Sequence, residues 1–146
     1  MKKFLGFALI VLIWGCKDKA EDQKVTTAPA KEGARFQMYE MSEMASLMEQ
    51  MFAYNTQLKE RIVNKEPLGE YPVAFDKLHT AVLTEASDRD AFFNEEAVKF
   101  IAAQKMIYSD SLNAESRFNE MVGQCLECHS KKCGGPVPRI KKLLIP

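Results

Sequence analysis

From Met38 onward, apolar side chains recur at intervals of three and four: Met38, Met41, Met44, Met48, Met51, Leu58 and Ile62, with Asn55 interrupting the stripe. One face of a helix with 3.6 residues per turn has this spacing, so the pattern predicts a long amphipathic helix. Glu40, Glu43, Glu49, Lys59 and Glu60 take its wet side, and Pro67 and Gly69 end it. A second, shorter helix is predicted after Pro72, which suits a first helical turn, with Phe75, Leu78 and Val82 facing inward. Asp88 is placed to cap a third, whose inner stripe is Phe93, Ala97, Phe100, Ile101 and Ile107. Asn113 is placed to cap a fourth, with Ala114, Phe118, Met121, Val122 and Cys125 on one face, and Gly134, Gly135 and Pro136 stop it. No segment alternates polar and apolar residues long enough for a sheet, and there is no internal repeat. Four helices with short links predict an all-α fold, an antiparallel four-helix bundle.

The beginning of the chain follows a different pattern. Lys2 and Lys3 precede an apolar run, Phe4 to Trp14, that ends at Gly15-Cys16. A basic start, a short apolar core and a small residue at the cut describe a secretory signal, and the run is short for a membrane span. Ile13-Trp14-Gly15-Cys16 resembles the bacterial lipobox, in which the cysteine is lipidated and becomes the first residue; Trp14 departs from the smaller residue usual there. The resemblance implies a signal peptide at 1–15 and lipidation at Cys16, with an uncleaved anchor or a plain signal as alternatives. Residues 16–34 hold almost no large apolar side chain, so burial cannot offset their ordering entropy and they read as a flexible tether. The expected body is 35–132, followed by a basic extension at 133–146.

Composition narrows the functional classes. The 146 residues carry 20 basic and 20 acidic side chains, and loss of residues 1–15 would remove two lysines and no acid, leaving a formal charge of −2. A nearly neutral chain without a sustained basic face gives no ground for nucleic-acid binding. Beyond Glu127 the charged residues are all basic: Lys131, Lys132, Arg139, Lys141 and Lys142. No nucleophile–base pair or acidic dyad is visible, so no enzymatic activity is expected. Cys125, Cys128 and Cys133 crowd into nine residues, and three cysteines cannot all pair internally in an oxidising compartment. Some other chemistry must use them.

Cys125-Leu126-Glu127-Cys128-His129 is the c-type haem attachment pattern. Two thiols that add to the two vinyl groups on one porphyrin edge must sit about one helical turn apart. The adjacent histidine then offers its imidazole nitrogen to the iron. Besides a chance match, two other uses compete. A redox disulfide would need a βαβ context that the pattern lacks. A zinc site of Cys125, Cys128, His129 and Cys133 would require the neighbouring Cys128 and His129 to share a tetrahedral ion, which they fit poorly. The expectation is one covalent haem c on Cys125 and Cys128, with His129 as its axial ligand.

A four-helix chain with this motif near the end of its last helix resembles the cytochrome c′ family, including its low-spin cytochrome c556 branch, over about residues 35–132. In that family the first helix supplies the residue facing the open side of the iron, a methionine in the low-spin branch and a non-binding apolar side chain in cytochrome c′ proper. Leu47-Met48-Glu49 is similar to the Leu-Met-Lys segment that carries the low-spin ligand, which implies Met48. A methionine stripe at helical spacing also serves ordinary packing. Met44 and Met51, one turn away on either side, and His79, the only other imidazole, are alternatives, as is an iron left five-coordinate. After His129 the chain departs from the family and runs on to Pro146. That ending, the methionine-rich first helix and His79-Thr80-Ala81 are similar to small haem lipoproteins of Bacteroidetes. For Cys133 an inert buried thiol is expected, with an interchain link or a redox-sensitive group as alternatives. The basic residues of the ending pair with haem propionates, meet an acidic partner, or are simply solvated.

The functional expectation is electron transfer by a monohaem lipoprotein of the cell envelope, periplasm-facing or on the outer membrane. Its partners would be membrane-bound or periplasmic redox proteins, with a lipid bilayer holding the acylated end. A gas-binding haem protein for nitric oxide or carbon monoxide, and a haem subunit of a larger envelope complex, are the alternatives. Pairing of two copies into a homodimer is left open.

Overall fold

The computed structural model of the chain describes residues 40–146. The expected signal peptide, Cys16, the tether and Met38 lie outside the described residues. The described residues form α1 (Glu43–Val63), α2 (Ala91–Ser109), α3 (Ala114–Lys132) and a single-turn α4 (Val137–Ile140), with 3-10 helices at Val73–His79, Ala86–Asp88, Ser111–Asn113 and Lys141–Leu143. The fold is all-α. None of these helices is long and apolar enough to cross a membrane.

Helix α1 begins later than its methionine pattern predicts. Ser42 caps it, its Oγ accepting from the Ala45 N–H at 3.1 Å, which satisfies one of the free donors of the first turn. Met41 therefore precedes the helix and is 51% exposed. The buried stripe is Met44, Leu47, Met51, Asn55, Leu58 and Ile62. The return from α1 passes through Gly69 at φ +80°, a backbone conformation that side chains disfavour.

The predicted second helix is the 3-10 helix Val73–His79. Phe75 and Leu78 are buried as expected, but Val82 is 61% exposed. The reason lies in α1. The Val82 N–H donates to Glu43 Oε2 and its carbonyl accepts from the Met44 N–H, both at 2.9 Å, so this backbone is engaged across the fold and cannot continue a helix.

Helix α2 is capped by Asp90, whose Oδ1 accepts from the Phe93 N–H at 2.8 Å; Asp88, the expected cap, instead ends the preceding 3-10 turn. Its predicted inner residues, Phe93, Ala97, Phe100, Ile101 and Ile107, are all buried. Before α3 the Asn113 side chain donates to Asp110 Oδ1 at 2.9 Å and gives the helix no side-chain cap. Ala114, Phe118, Met121 and Val122 are nonetheless buried, and Cys125 is partly so.

Helices α2 and α3 pack along one another. The 3-10 helix Val73–His79 bridges α1 and α2, while α4 and Lys141–Leu143 bridge α3 and α1. Leu58 from α1, Ile107 from α2, and Phe118, Met121 and Val122 from α3 are at most 1% exposed and form the dense part of the core. Residues 133–146, read as an extension, belong to this core: Ile140, Leu143 and Ile145 are buried. Asn119 brackets Ile145, donating to its carbonyl and accepting from its N–H at 2.9 Å each, and Lys59 Nζ caps the carbonyls of Lys142 and Leu144.

Candidate functional site

The last turns of α3 continue the buried stripe of Met121 and Val122 into Cys125 and Cys128. Three residues apart on a helix, the two cysteines share a face. Cys125, Cys128 and Cys133 are free thiols. Cys125 Sγ lies 3.8 Å from Met121 Sδ. Burial, reinforced by the neighbouring Cys128, pushes the Cys125 thiol up to about 12; burial, followed by the charge of Glu96, also raises that of Cys128. A thiol–disulfide catalyst needs the opposite, a thiol lowered towards neutral pH.

His129 is oriented by the end of its own helix. Its Nδ1 lies 3.1 Å from the Cys133 carbonyl, and because a carbonyl only accepts, the contact selects the tautomer protonated on Nδ1. The Nε2 lone pair is left for a ligand. Cys133 thus contributes through its backbone, while its side chain is exposed rather than buried as expected.

The first halves of α1 and α2 and the last turns of α3 enclose a cleft with three adjoining recesses. The first has walls of Met48, Met51, Phe93, Ala97, Phe100, Cys125, Cys128 and His129, with the buried Glu96 among them. The second extends towards Phe52, Asn55, Arg139, Ile140 and Leu143. The third opens between Met44 and Leu83 on one side and Cys128, Lys132 and Cys133 on the other. Among the described residues, only Met48 and His129 border all three. Met51 reaches the first two and Met44 the third, and both are mostly packed into the core at 6% exposure. His79 is not brought to this cleft. It is exposed on the 3-10 helix, where its carbonyl accepts from Arg89 Nη1 at 2.7 Å.

Most of the basic residues near the C-terminus are paired within the chain. Arg139 makes a two-point contact with Glu49, at 2.6 and 2.8 Å, and its guanidinium lies 3.8 Å from the centre of the Phe52 ring. That contact holds the Glu49 carboxyl below its ordinary range. Lys132 Nζ lies 2.5 Å from Asp90 Oδ2, and Lys131 Nζ lies 2.8 Å from Glu127 Oε1. Lys141 and Lys142 are exposed.

The sequence pattern missed three parts of the site. Glu96 sits on the inner face of α2, where a charged residue breaks the apolar stripe. Asn55 is buried because its Oδ1 accepts from the equally buried Gln104 Nε2 at 3.1 Å, a pairing of two positions that are each unremarkable alone. The wall formed by Ile140 and Leu143 had a visible signal in its three-residue spacing within a segment read as merely basic. Among the described residues, no three His, Cys, Asp or Glu side chains are grouped to hold a bare metal ion. That bears on the zinc option and not on a porphyrin, which brings its own nitrogens. Compared with known proteins, the chain matches no family model, no curated protein and no solved structure.

Proposed function

We propose that the chain is a lipid-anchored, monohaem c-type cytochrome that passes electrons between redox proteins at the cell envelope. Its body would be a four-helix bundle in which the 3-10 helix Val73–His79 stands in the position of the second helix. The single observation that carries the reading is the pairing of Met48 and His129 as the two side chains bordering every recess of one apolar cleft, with the thiols of Cys125 and Cys128 in its wall.

The residues present suit haem c. Cys125 and Cys128 would carry the thioether bonds, His129 Nε2 would bind the iron, and the Met48 thioether is a soft donor suited to the opposite position. Bound haem supplies a one-electron couple whose potential a methionine ligand raises.

The chain's own residues do the rest. The Nδ1–H bond to the Cys133 carbonyl holds the His129 ring in place and leaves Nε2 as the nitrogen free to bind. Phe52, Phe93 and Phe100 keep water from the cleft, and a dry surrounding limits the rearrangement that accompanies a change of charge. The third recess, bounded by Lys132, Asp88 and Leu83, leaves an opening at which a partner can approach. A tether at 16–34 would allow repeated brief docking at high local concentration.

The test is expression of the full chain with a working haem-maturation system, followed by acid-acetone extraction and oxidised and reduced spectra. Pigment that stays with the protein and gives sharp low-spin bands is the expected result. Protein that retains no pigment under those conditions overturns the proposal.

A further inference from the structure

Glu96 has no part in the reading above, yet it is buried in the wall of the first recess at 4% exposure. Its Oε1 accepts from Lys99 Nζ at 2.9 Å, whereas its Oε2 is buried without a hydrogen-bond partner. Lys99 is about half exposed and also contacts Glu95 at 2.6 Å, so one ammonium serves two carboxylates. Nearby, Lys131 pairs with Glu127, and Lys132 with Asp90 and, at 3.9 Å, Asp88, so neither lysine offsets the one negative charge in excess of the Glu95–Glu96–Lys99 group beside the cleft. A buried carboxylate with an unmet oxygen is costly, and replacement by an apolar residue would remove the cost. Across the α2–α3 seam Glu96 shares the wall of the first recess with Cys128 and His129.

We propose that Glu96 is a potential-setting residue: its buried carboxylate favours the oxidised form of a haem attached at Cys128 and so lowers the reduction potential of the site. The inference rests on the haem reading given above. Reduction of the iron adds one electron, and a fixed negative charge in a poorly screened wall opposes it. Glu96 acts against the methionine ligand, which pulls the potential upward. It is a positioning residue for charge and touches no substrate.

The experiment is an optical redox titration of the haem-loaded full chain, comparing wild type with Glu96→Gln and with Lys99→Met. Glu96→Gln keeps the side-chain shape and removes the charge; its redox equilibrium is expected to move about tenfold towards the reduced form, roughly 59 mV for one electron. Lys99→Met leaves Glu95 and Glu96 uncompensated and is expected to move it the other way. A Glu96→Gln midpoint equal to wild type, or two variants that shift in the same direction, overturns the proposal. Lys99 is exposed enough that its variant reports even where Glu96→Gln folds poorly. Wild-type protein without covalent haem overturns the cytochrome reading and this inference together, whereas an invariant midpoint in loaded protein overturns this inference alone.

Discussion

Met44, Met48 and Met51 lie within two turns of α1 and have identical side chains, but their surroundings differ. Met44 and Met51 are packed in the core, while Met48 is only partly buried and, like His129, borders every recess of the cleft. In haem-loaded protein, Met48→Ala is therefore expected to lose the sulfur-to-iron absorption band and to bind carbon monoxide readily. Met44→Leu, Met51→Leu and His79→Ala should keep the wild-type spectrum. Survival of the band in Met48→Ala would reject this ligand. Phe118 gives a prediction of a different kind. It is fully buried against the dense part of the core, so Phe118→Ala should cost about 3–5 kcal/mol in urea unfolding, from lost transfer energy and the void left behind.

Helices α2 and α3 are tied at the cleft end by one acid. Asp90 caps α2 through one carboxylate oxygen and meets Lys132, in the last turn of α3, through the other. Lys132, followed by the Phe93 N–H, holds the Asp90 carboxyl below its ordinary range in the folded chain. A depressed folded-state value means that the contribution to stability is complete above the unfolded value and disappears as pH falls through the folded one. Asp90→Asn preserves a good capping side chain but removes the charge. Its thermal midpoint should lie below wild type at neutral pH, and the gap should close as the pH is lowered through about 4 and beyond. A gap independent of pH would show that charge is not what ties these helices.

The C-terminal residues decide how far the cleft is enclosed. Ile140 and Leu143 supply one wall of the second recess and, with Ile145, part of the core. Each buried side chain of this size contributes roughly 1.5–3 kcal/mol. Deletion of residues 134–146 should accordingly cost several kcal/mol, a large share of the roughly 5–15 kcal/mol available to a domain. Arg139→Ala should cost far less, because the Glu49 pair is half exposed and solvent screens it. Urea unfolding distinguishes the two cases. A truncated chain as stable as wild type would mean that these residues rest on the body without supporting it.

Much of the molecule was legible from local spacing. The interiors of α2 and α3 were readable because a helix repeats every 3.6 residues, so a pattern a few residues long already states which face is apolar. The proposed motif of Cys125, Cys128 and His129 was readable for the same reason: its residues lie within about one turn of each other. Other features rest on partners far apart in the chain, which no local pattern contains. Val73–His79 stays a short 3-10 helix because Val82 is engaged by α1, 39 residues away along the chain. Arg139 lies against α1 because Glu49 and Phe52 receive it, Glu49 being 90 positions distant. The packing of Met44 and Met51 into the core while Met48 stays at the cleft, and the burial of Glu96 beside Cys128, belong to this second group. Periodicity tells which face of a helix turns inward, but packing between helices determines which side chains on that face meet.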